Sequence, residues 1–361
     1  MPGVKAFPHR ARYQAHPRRV PEIRFMRRAL ALAKRGGRAV SPNPMVGCVL
    51  VKSGRIIAEG WHKFFGGPHA EAAALRRAGL RAKGSTAYVT LEPCSNHPGK
   101  KTPPCAPALI KAGVAEVVAA MRDPHPGVNG RGLRLLRGAG IKTRTGLGAR
   151  QAKGLNKAFL TRMRRRRPYV LLKTALSLDG RAFAPGGRSR WITGRSARKI
   201  VHQWRAGSDA ILVGIGTVLA DNPSLTSHGA GKNPVRVVLD ARLRTPRRAQ
   251  VLSPEAPTWV FTASSRKLPG AQTIRVPAKA GRLRLKSVLS ELARRGIATL
   301  LVEGGPTVHA GFLKEGLVDE ARIFFAPKLI AGTADPSRAP RLRRPRLKRA
   351  GDDFLFYGKL S

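Results

Sequence analysis

Short apolar strands alternate with helix-forming stretches along this chain, and the alternation runs down and then starts again. The first series has helical spacing over residues 22–35, a hairpin-like pair at 46–51 and 55–60 around Ser53-Gly54, and apolar runs at 86–91 and 114–121. A helix-like stretch over 149–162 then leads into the arginine-rich residues 162–167. The second series opens at Pro168, with strands expected at 169–175, 210–214, 234–239, 258–262 and 299–302 and helices at 197–205 and 285–295. Strands separated by helices argue for a mostly parallel sheet covered on both faces. At 361 residues the chain exceeds one ordinary core, so two layered α/β domains follow. The expected organisation is a disordered basic extension over residues 1–20, a first domain over 21–146, an Arg-rich connection over 147–167 and a second domain over 168–361.

The residues with the most chemistry lie in the first series. Pro68-His69-Ala70-Glu71, Pro93-Cys94 and Cys105 supply one imidazole, two thiols and one carboxylate. His69, Cys94 and Cys105 would give a zinc ion three protein ligands and leave its fourth position open for water, the arrangement of a catalytic site. Glu71, two residues after His69, is badly placed to bind the same metal but can serve as general acid and base to the water. His69 and Glu71 are expected in the first turn of one helix, and a second helix is expected to start near Pro104-Cys105. Its N-terminus would favour a thiolate. The pattern H-x-E followed by P-C-x-x-C marks zinc nucleobase deaminases; here the first half fits, but ten residues rather than two separate the cysteines. Cys48, inside an apolar strand, reads as core.

Ser41-Pro42-Asn43-Pro44 is a stiff loop that could present the Asn43 amide to a base edge or simply form a turn. His62 alone reads as a loop histidine. In the second series, glycines gather where strands should end, at Gly214-Ile215-Gly216-Thr217 and Glu303-Gly304-Gly305-Pro306-Thr307. A glycine turn entering a helix can cradle phosphate, but neither is the full dinucleotide fingerprint.

Charge is lopsided: 69 Lys and Arg against 19 Asp and Glu give a formal +50. Such a field attracts polyanions, so non-specific nucleic-acid binding stays open. Yet the cations are spread over nearly every segment and aromatics make up only 6%, too few for obvious base-stacking platforms. Three cysteines give no disulfide framework, and no apolar run approaches the roughly 20 residues of a membrane span. A reducing cytoplasm is the expected location.

These motifs resemble, in order, the two halves of the bifunctional riboflavin-biosynthesis deaminase/reductase family. Ser41-Pro42-Asn43-Pro44-Met45-Val46-Gly47, Pro68-His69-Ala70-Glu71, Thr90-Leu91-Glu92-Pro93-Cys94-Ser95 and Thr102-Pro103-Pro104-Cys105 are similar to the deaminase half. Lys173-Thr174-Ala175-Leu176-Ser177-Leu178-Asp179-Gly180, Trp191-Ile192-Thr193, residues 216–223 and Val302-Glu303-Gly304-Gly305 are similar to the reductase half. The resemblance implies an N-terminal cytidine-deaminase-like three-layer domain and a C-terminal dihydrofolate-reductase-like α/β domain. It also implies Zn2+ and NADPH as cofactors, a phosphorylated pyrimidine as substrate, and assembly into a homo-oligomer.

Residue by residue, the resemblance implies zinc ligation by His69, Cys94 and Cys105, catalysis by Glu71, and substrate contacts from Asn43, His62, Ser189, Arg205, Leu225, His228 and Glu303. NADPH contacts fall to Ala175, Trp191, Thr217, Asp221, Gly305, Pro306 and Thr307, with the segment continuing to Gly311. Two departures stand out: the loop between Cys94 and Cys105 is two residues longer than usual, and His228 stands where an arginine is common. Two other readings compete. One is a zinc deaminase of another nucleoside or tRNA base; the other is a polyanion-binding protein that keeps the enzyme fold.

Overall fold

The computed structural model describes residues 19–96, 102–182, 192–330, 342–350 and 353–360. The chain divides into two compact units, the first running to Asn156 apart from Ser41–Asn43 and the second continuing from Lys157.

In the first unit, α1 (Arg19–Lys34) precedes the antiparallel pair β1 (Gly47–Lys52) and β2 (Arg55–Trp61). Then come α2 (Ala70–Ala78), β3 (Thr86–Val89), α3 (Cys105–Lys111), β4 (Glu116–Ala119), α4 (Arg131–Gly138), β5 (Lys142–Thr145) and α5 (Ala149–Leu155). The strands form one sheet in the order β2-β1-β3-β4-β5, antiparallel through β1 and parallel from β3 to β5. Five of the six β1 residues are buried, as a strand covered on both faces requires. Two glycines let helices approach those faces. A Cβ on Gly47 would stand 2.0 Å from Ala29 O of α1, and one on Gly60 would stand 2.2 Å from Ala70 O of α2. Gly47 pairs with Trp61 and Cys48 with Gly60, so the two glycines point to opposite sides and place α1 and α2 on opposite faces. Gly60→Ala is therefore expected to cost about 1–3 kcal/mol of stability by overpacking, read as a lower denaturation midpoint.

The second unit begins with α6 (Lys157–Arg165) and β6 (Tyr169–Ser177), followed by α7 (Arg195–Ala206), β7 (Ala210–Gly214), α8 (Ile215–Asp221), β8 (Val235–Leu239), β9 (Thr258–Thr262) and β10 (Gln272–Arg275). A two-residue pair, β11 (Ala278–Lys279) and β12 (Arg282–Leu283), leads to α9 (Leu285–Arg294), β13 (Thr299–Val302), α10 (Pro306–Lys314) and β14 (Glu320–Ala326). A hairpin, β15 (Leu342–Ala350) with β16 (Asp353–Leu360), comes last. Seven strands form a parallel sheet in the order β10-β9-β8-β7-β13-β6-β14. Alternate residues feed two cores: Leu212, Val237, Phe261 and Leu300 pack in one, Ile211, Val238, Val260 and Leu301 in the other. Both faces are covered.

The single helix expected over 149–162 is two helices. They part at Asn156, whose side chain is occupied elsewhere: its Oδ1 accepts from Met45 N at 2.8 Å and its Nδ2 donates to Met45 O at 3.0 Å. Helices α4, α8 and α10 and strands β5, β10 and β14 carry weaker sequence signals than the elements expected from periodicity. Arg236, the second residue of β8, is fully buried, and its guanidinium is satisfied by Thr258 Oγ1, Ser253 and the carbonyls of Ser224, Gln250 and Ala256.

Candidate functional site: a metal-donor triad and a polar cavity

In the first unit, His69, Cys94 and Cys105 come from three separate turns of chain. His69 is the N-cap of α2, with an extended backbone (φ −70°, ψ 161°), rather than a member of its first turn. As the N-cap, His69 lies just outside the helix that carries Glu71, yet its ring and both thiols stay close enough to act on the Glu71 carboxyl. Cys94 lies in the loop after β3, and Cys105 is the first residue of α3. Their ligand atoms lie within 4.8 Å of one another. His69 Nδ1 is 3.4 Å from Cys94 Sγ and 3.3 Å from Cys105 Sγ.

A four-coordinate zinc with ordinary bond lengths sets nitrogen–sulphur separations of about 3.5 Å, so the donor set fits. Thr102 Oγ1 is 3.0 Å from His69 Nε2. With Nδ1 turned to a metal, Nε2 carries the proton and donates to that hydroxyl, which fixes the ring. The Cys105 backbone N–H donates to Cys94 Sγ at 3.4 Å, which favours the thiolate a metal needs. Thr102 was not singled out for this part by the sequence; a hydroxyl three residues before the second thiol was the available signal.

Glu71 is buried in the first turn of α2. Burial pushes its carboxyl up to about 7, and the neighbouring Cys94 adds to that, while His69 and a hydrogen bond from Cys105 pull the other way. A carboxyl balanced near neutrality can both take and return a proton. His62 is also buried, with its ring edge-on to His69 at 5.6 Å between centroids. Its Nδ1 lies 3.0 Å from Pro68 O, so this nitrogen carries the proton and donates it to the carbonyl. Burial lowers the His62 pKa, and the ring is neutral at pH 7. Asn43 sits half-buried in the loop before β1, and its part in the substrate site rests on the family resemblance. Cys48 is fully buried, and burial raises its thiol well above the ordinary range, as befits a core residue.

In the second unit, a cavity of about 1460 Å³ opens where β7, β8 and β13 end. The carboxyl ends of parallel strands are the usual ligand crevice of such sheets, and the volume exceeds the roughly 300–1,000 Å³ of a single-ligand pocket. There is room for a nucleotide cofactor and a second molecule. The structure brings Ala175, Thr217, Asp221, Gly305, Pro306 and Thr307 to its wall, together with Arg205, Leu225, His228 and Glu303. Ser189 and Trp191 lie outside the described residues.

Glu303 is the electrostatic centre of this cavity. Arg205 grips it with two bonds, Nε to Oε1 at 2.9 Å and Nη2 to Oε2 at 3.0 Å, and Lys173 Nζ stands 3.9 Å away. Burial would raise its pKa, but these cations outweigh that and hold the carboxylate below the ordinary range. Arg205 Nη1 also donates to Thr226 O. His202 and His309 line the cavity too and were not picked from the sequence, where each looks like an ordinary helix residue. His202 lies against His228 with ring centroids 4.3 Å apart, and His309 Nε2 is buried without a hydrogen-bond partner.

Both halves of the chain resemble known proteins. Residues 20–121 match the family described as cytidine and deoxycytidylate deaminase zinc-binding region, and residues 168–352 match the RibD C-terminal domain. The riboflavin biosynthesis protein RibD of Bacillus amyloliquefaciens is 47% identical over 322 residues, covering 87% of this chain and 86% of that one. RibD of Escherichia coli strain K12 is 45% identical over 327 residues, 86% and 89% of the two chains. Among solved structures, Acinetobacter baumannii RibD superposes with a TM-score of 0.79 at 40% identity, covering 93% of this chain and 97% of that one. The deaminase/reductase from Thermotoga maritima gives 0.78 at 38% identity with the same coverage. The expected fold class therefore holds, a cytidine-deaminase-like domain followed by a dihydrofolate-reductase-like one. The chain belongs to the RibD family of riboflavin-biosynthesis proteins.

Proposed function

We propose that this chain catalyses two consecutive steps of riboflavin biosynthesis. The first is zinc-dependent hydrolytic deamination of 2,5-diamino-6-(5-phosphoribosylamino)pyrimidin-4(3H)-one. The second is NADPH reduction of the ribosyl group to ribityl, giving 5-amino-6-(5-phosphoribitylamino)uracil. The observation that carries the proposal is the presence on one chain of a His-Cys-Cys donor set beside a buried acid and, separately, a cavity sized for a nucleotide and a substrate.

In the first step, His69, Cys94 and Cys105 would hold Zn2+, which would supply the Lewis acidity that makes water a nucleophile near neutral pH. Glu71 takes a proton from the attacking water and passes one to the departing amino nitrogen, so water enters and ammonia leaves. Thr102 holds the His69 ring in the ligating tautomer. His62, neutral and with Nδ1 committed to Pro68, and Asn43 are the groups that the family resemblance assigns to the substrate.

In the second step the hydride belongs to the cofactor, and the protein supplies position and charge. Thr217, Asp221 and the turn Gly305-Pro306-Thr307 at the start of α10 hold NADPH; Leu225, Arg205, Glu303 and His228 face the substrate. Arg205 spends three of its five N–H groups on Glu303 and Thr226, which leaves one on each terminal nitrogen for a ligand. Other groups of the cavity wall can share the substrate phosphate, among them Arg242, Arg244 and the His228–His202 pair.

Burial lowers both imidazole pKa values, helped by Arg205 for both rings and by His228 for His202, while Glu255 and Glu303 oppose. Both rings are neutral at pH 7, and a bound phosphate gains affinity when they protonate. The KM for the phosphorylated substrate in the reductase step is expected to fall as pH drops below about 6.5, the ordinary imidazole value that both rings lie under, and His228→Arg should flatten that profile. A KM independent of pH in the native chain would remove the pair from the phosphate site.

Product analysis tests the whole reading: the purified chain, given the diaminopyrimidine and NADPH, should yield the ribitylaminouracil phosphate by mass spectrometry. A product still carrying the 2-amino group would refute the order of steps. The +50 charge adds a second property, loose association with polyanions at low salt, which should vanish steeply as salt rises while small-substrate turnover persists.

A further inference from the structure

Glu92 is buried to 2% exposure two residues before the ligand Cys94, and the chemistry above makes no use of it. Its carboxylate accepts four backbone N–H groups. Oε2 takes those of Gly130 at 2.9 Å and Asp123 at 3.2 Å; Oε1 takes those of Gly132 at 3.1 Å and Leu133 at 3.4 Å. Three of the four lie at the opening of α4, whose first N–H groups have no partner within the helix and whose dipole favours a negative charge there. The close packing extends to the next residue, because a Cβ on Gly132 would stand 1.8 Å from Pro93 O. Only glycine lets α4 come this near to the chain entering Cys94.

The anchor continues into the donor set itself. Ala106 N donates to Cys94 O at 3.1 Å, Ser95 Oγ donates to Gly127 O at 3.2 Å, and Val128 packs against both Cys94 and Cys105. The loop that bears Cys94 is therefore clamped between the openings of α3 and α4, with the Glu92 carboxylate binding the opening of α4. We infer that Glu92 is a positioning residue for the zinc centre: by binding the opening of α4 it holds the Cys94 sulphur at ligating distance from His69 and Cys105 before metal arrives. The inference rests on the zinc reading above. It assigns Glu92 neither ligation nor proton transfer.

The test uses the full chain as wild type, Glu92→Gln and Glu92→Ala. Gln keeps the shape but replaces one acceptor oxygen with an amide that donates, so at least one pair of N–H groups loses its partner. Zinc affinity is measured by competition with a chromophoric chelator, and the Co2+-loaded chains are compared by their absorption, which reports thiolate ligation and tetrahedral geometry. The second unit serves as an internal control through NADPH oxidation with the deaminated intermediate.

The expected result is zinc bound roughly 10–100-fold more weakly in Glu92→Gln, a range typical of lost groups that support metal ligands. The Co2+ spectrum should be altered and NADPH oxidation unchanged. If Glu92→Gln binds zinc as tightly as wild type with an identical Co2+ spectrum, Glu92 is only a helix anchor and the inference is wrong. Should Glu92→Ala fail to fold, Glu92→Gln still decides the matter. If the wild-type chain binds no zinc, it is the zinc reading that fails, an outcome distinct from equal binding by wild type and variant.

Discussion

Glu71→Gln is expected to lower ammonia release by about 10²–10⁴-fold, the usual worth of a positioned general acid and base. The loss should be chemical and not structural. Gln fills the same buried space in α2 and removes a carboxyl that burial already pushes up to about 7, so the fold bears no new cavity and no new buried charge. Zinc content should stay at one per chain, because the candidate donors are His69, Cys94 and Cys105 and not Glu71. Given the deaminated intermediate, the variant should oxidise NADPH at the native rate. Loss of zinc together with activity would instead make Glu71 a supporting residue of the metal site.

The second large effect is expected at Glu303. Its carboxylate is nearly inaccessible and neutralises Arg205, with Lys173 close by. Glu303→Ala would leave two cations facing each other in a buried cavity, a defect that costs about 3–5 kcal/mol when one partner of a buried pair is removed. Hydride transfer should fall at least a hundredfold while ammonia release survives, since among the described residues none belongs both to the metal-donor set and to the wall of this cavity.

The pH dependence has a definite sign. The Glu303 pKa is held below its unfolded value, about 4.3, so its contribution to stability is complete above that pH. It is lost as pH falls through the lower folded value. Acid unfolding of Glu303→Ala should accordingly show a shallower dependence below about pH 4 than that of the native chain. An unchanged reductase rate in Glu303→Ala would show that the carboxylate is not part of the site.

What the sequence reveals differs between the two units for a physical reason. Zinc demands particular residue types, so one imidazole, two thiols and a nearby acid identify themselves even when 25 and 11 residues apart along the chain. The parallel sheet of the second unit is legible because buried strands such as residues 210–214 and 300–302 are runs without a polar side chain. The cavity is harder to read. Arg205, His202, Glu303 and His309 look like any polar helix or loop residues until the fold sets them around one space, and only the family resemblance singled out Arg205 and Glu303. Glu92 and Asn156 were opaque for a similar reason: each works through backbone groups, which carry no residue-type signal. The long helix expected over 149–162 failed on that account, because the Asn156 amide is engaged by Met45, more than a hundred residues earlier.

The most direct test of the two-site account is the stoichiometry of one assay. Ammonia release and NADPH oxidation are followed together on the purified zinc-loaded chain, starting from the diaminopyrimidine ribosylamine phosphate. The account predicts one ammonia per NADPH at completion, with ammonia appearing first and Glu71→Gln abolishing both signals unless the deaminated intermediate is supplied. NADPH oxidation by Glu71→Gln from the diaminopyrimidine itself, without ammonia release, would contradict it.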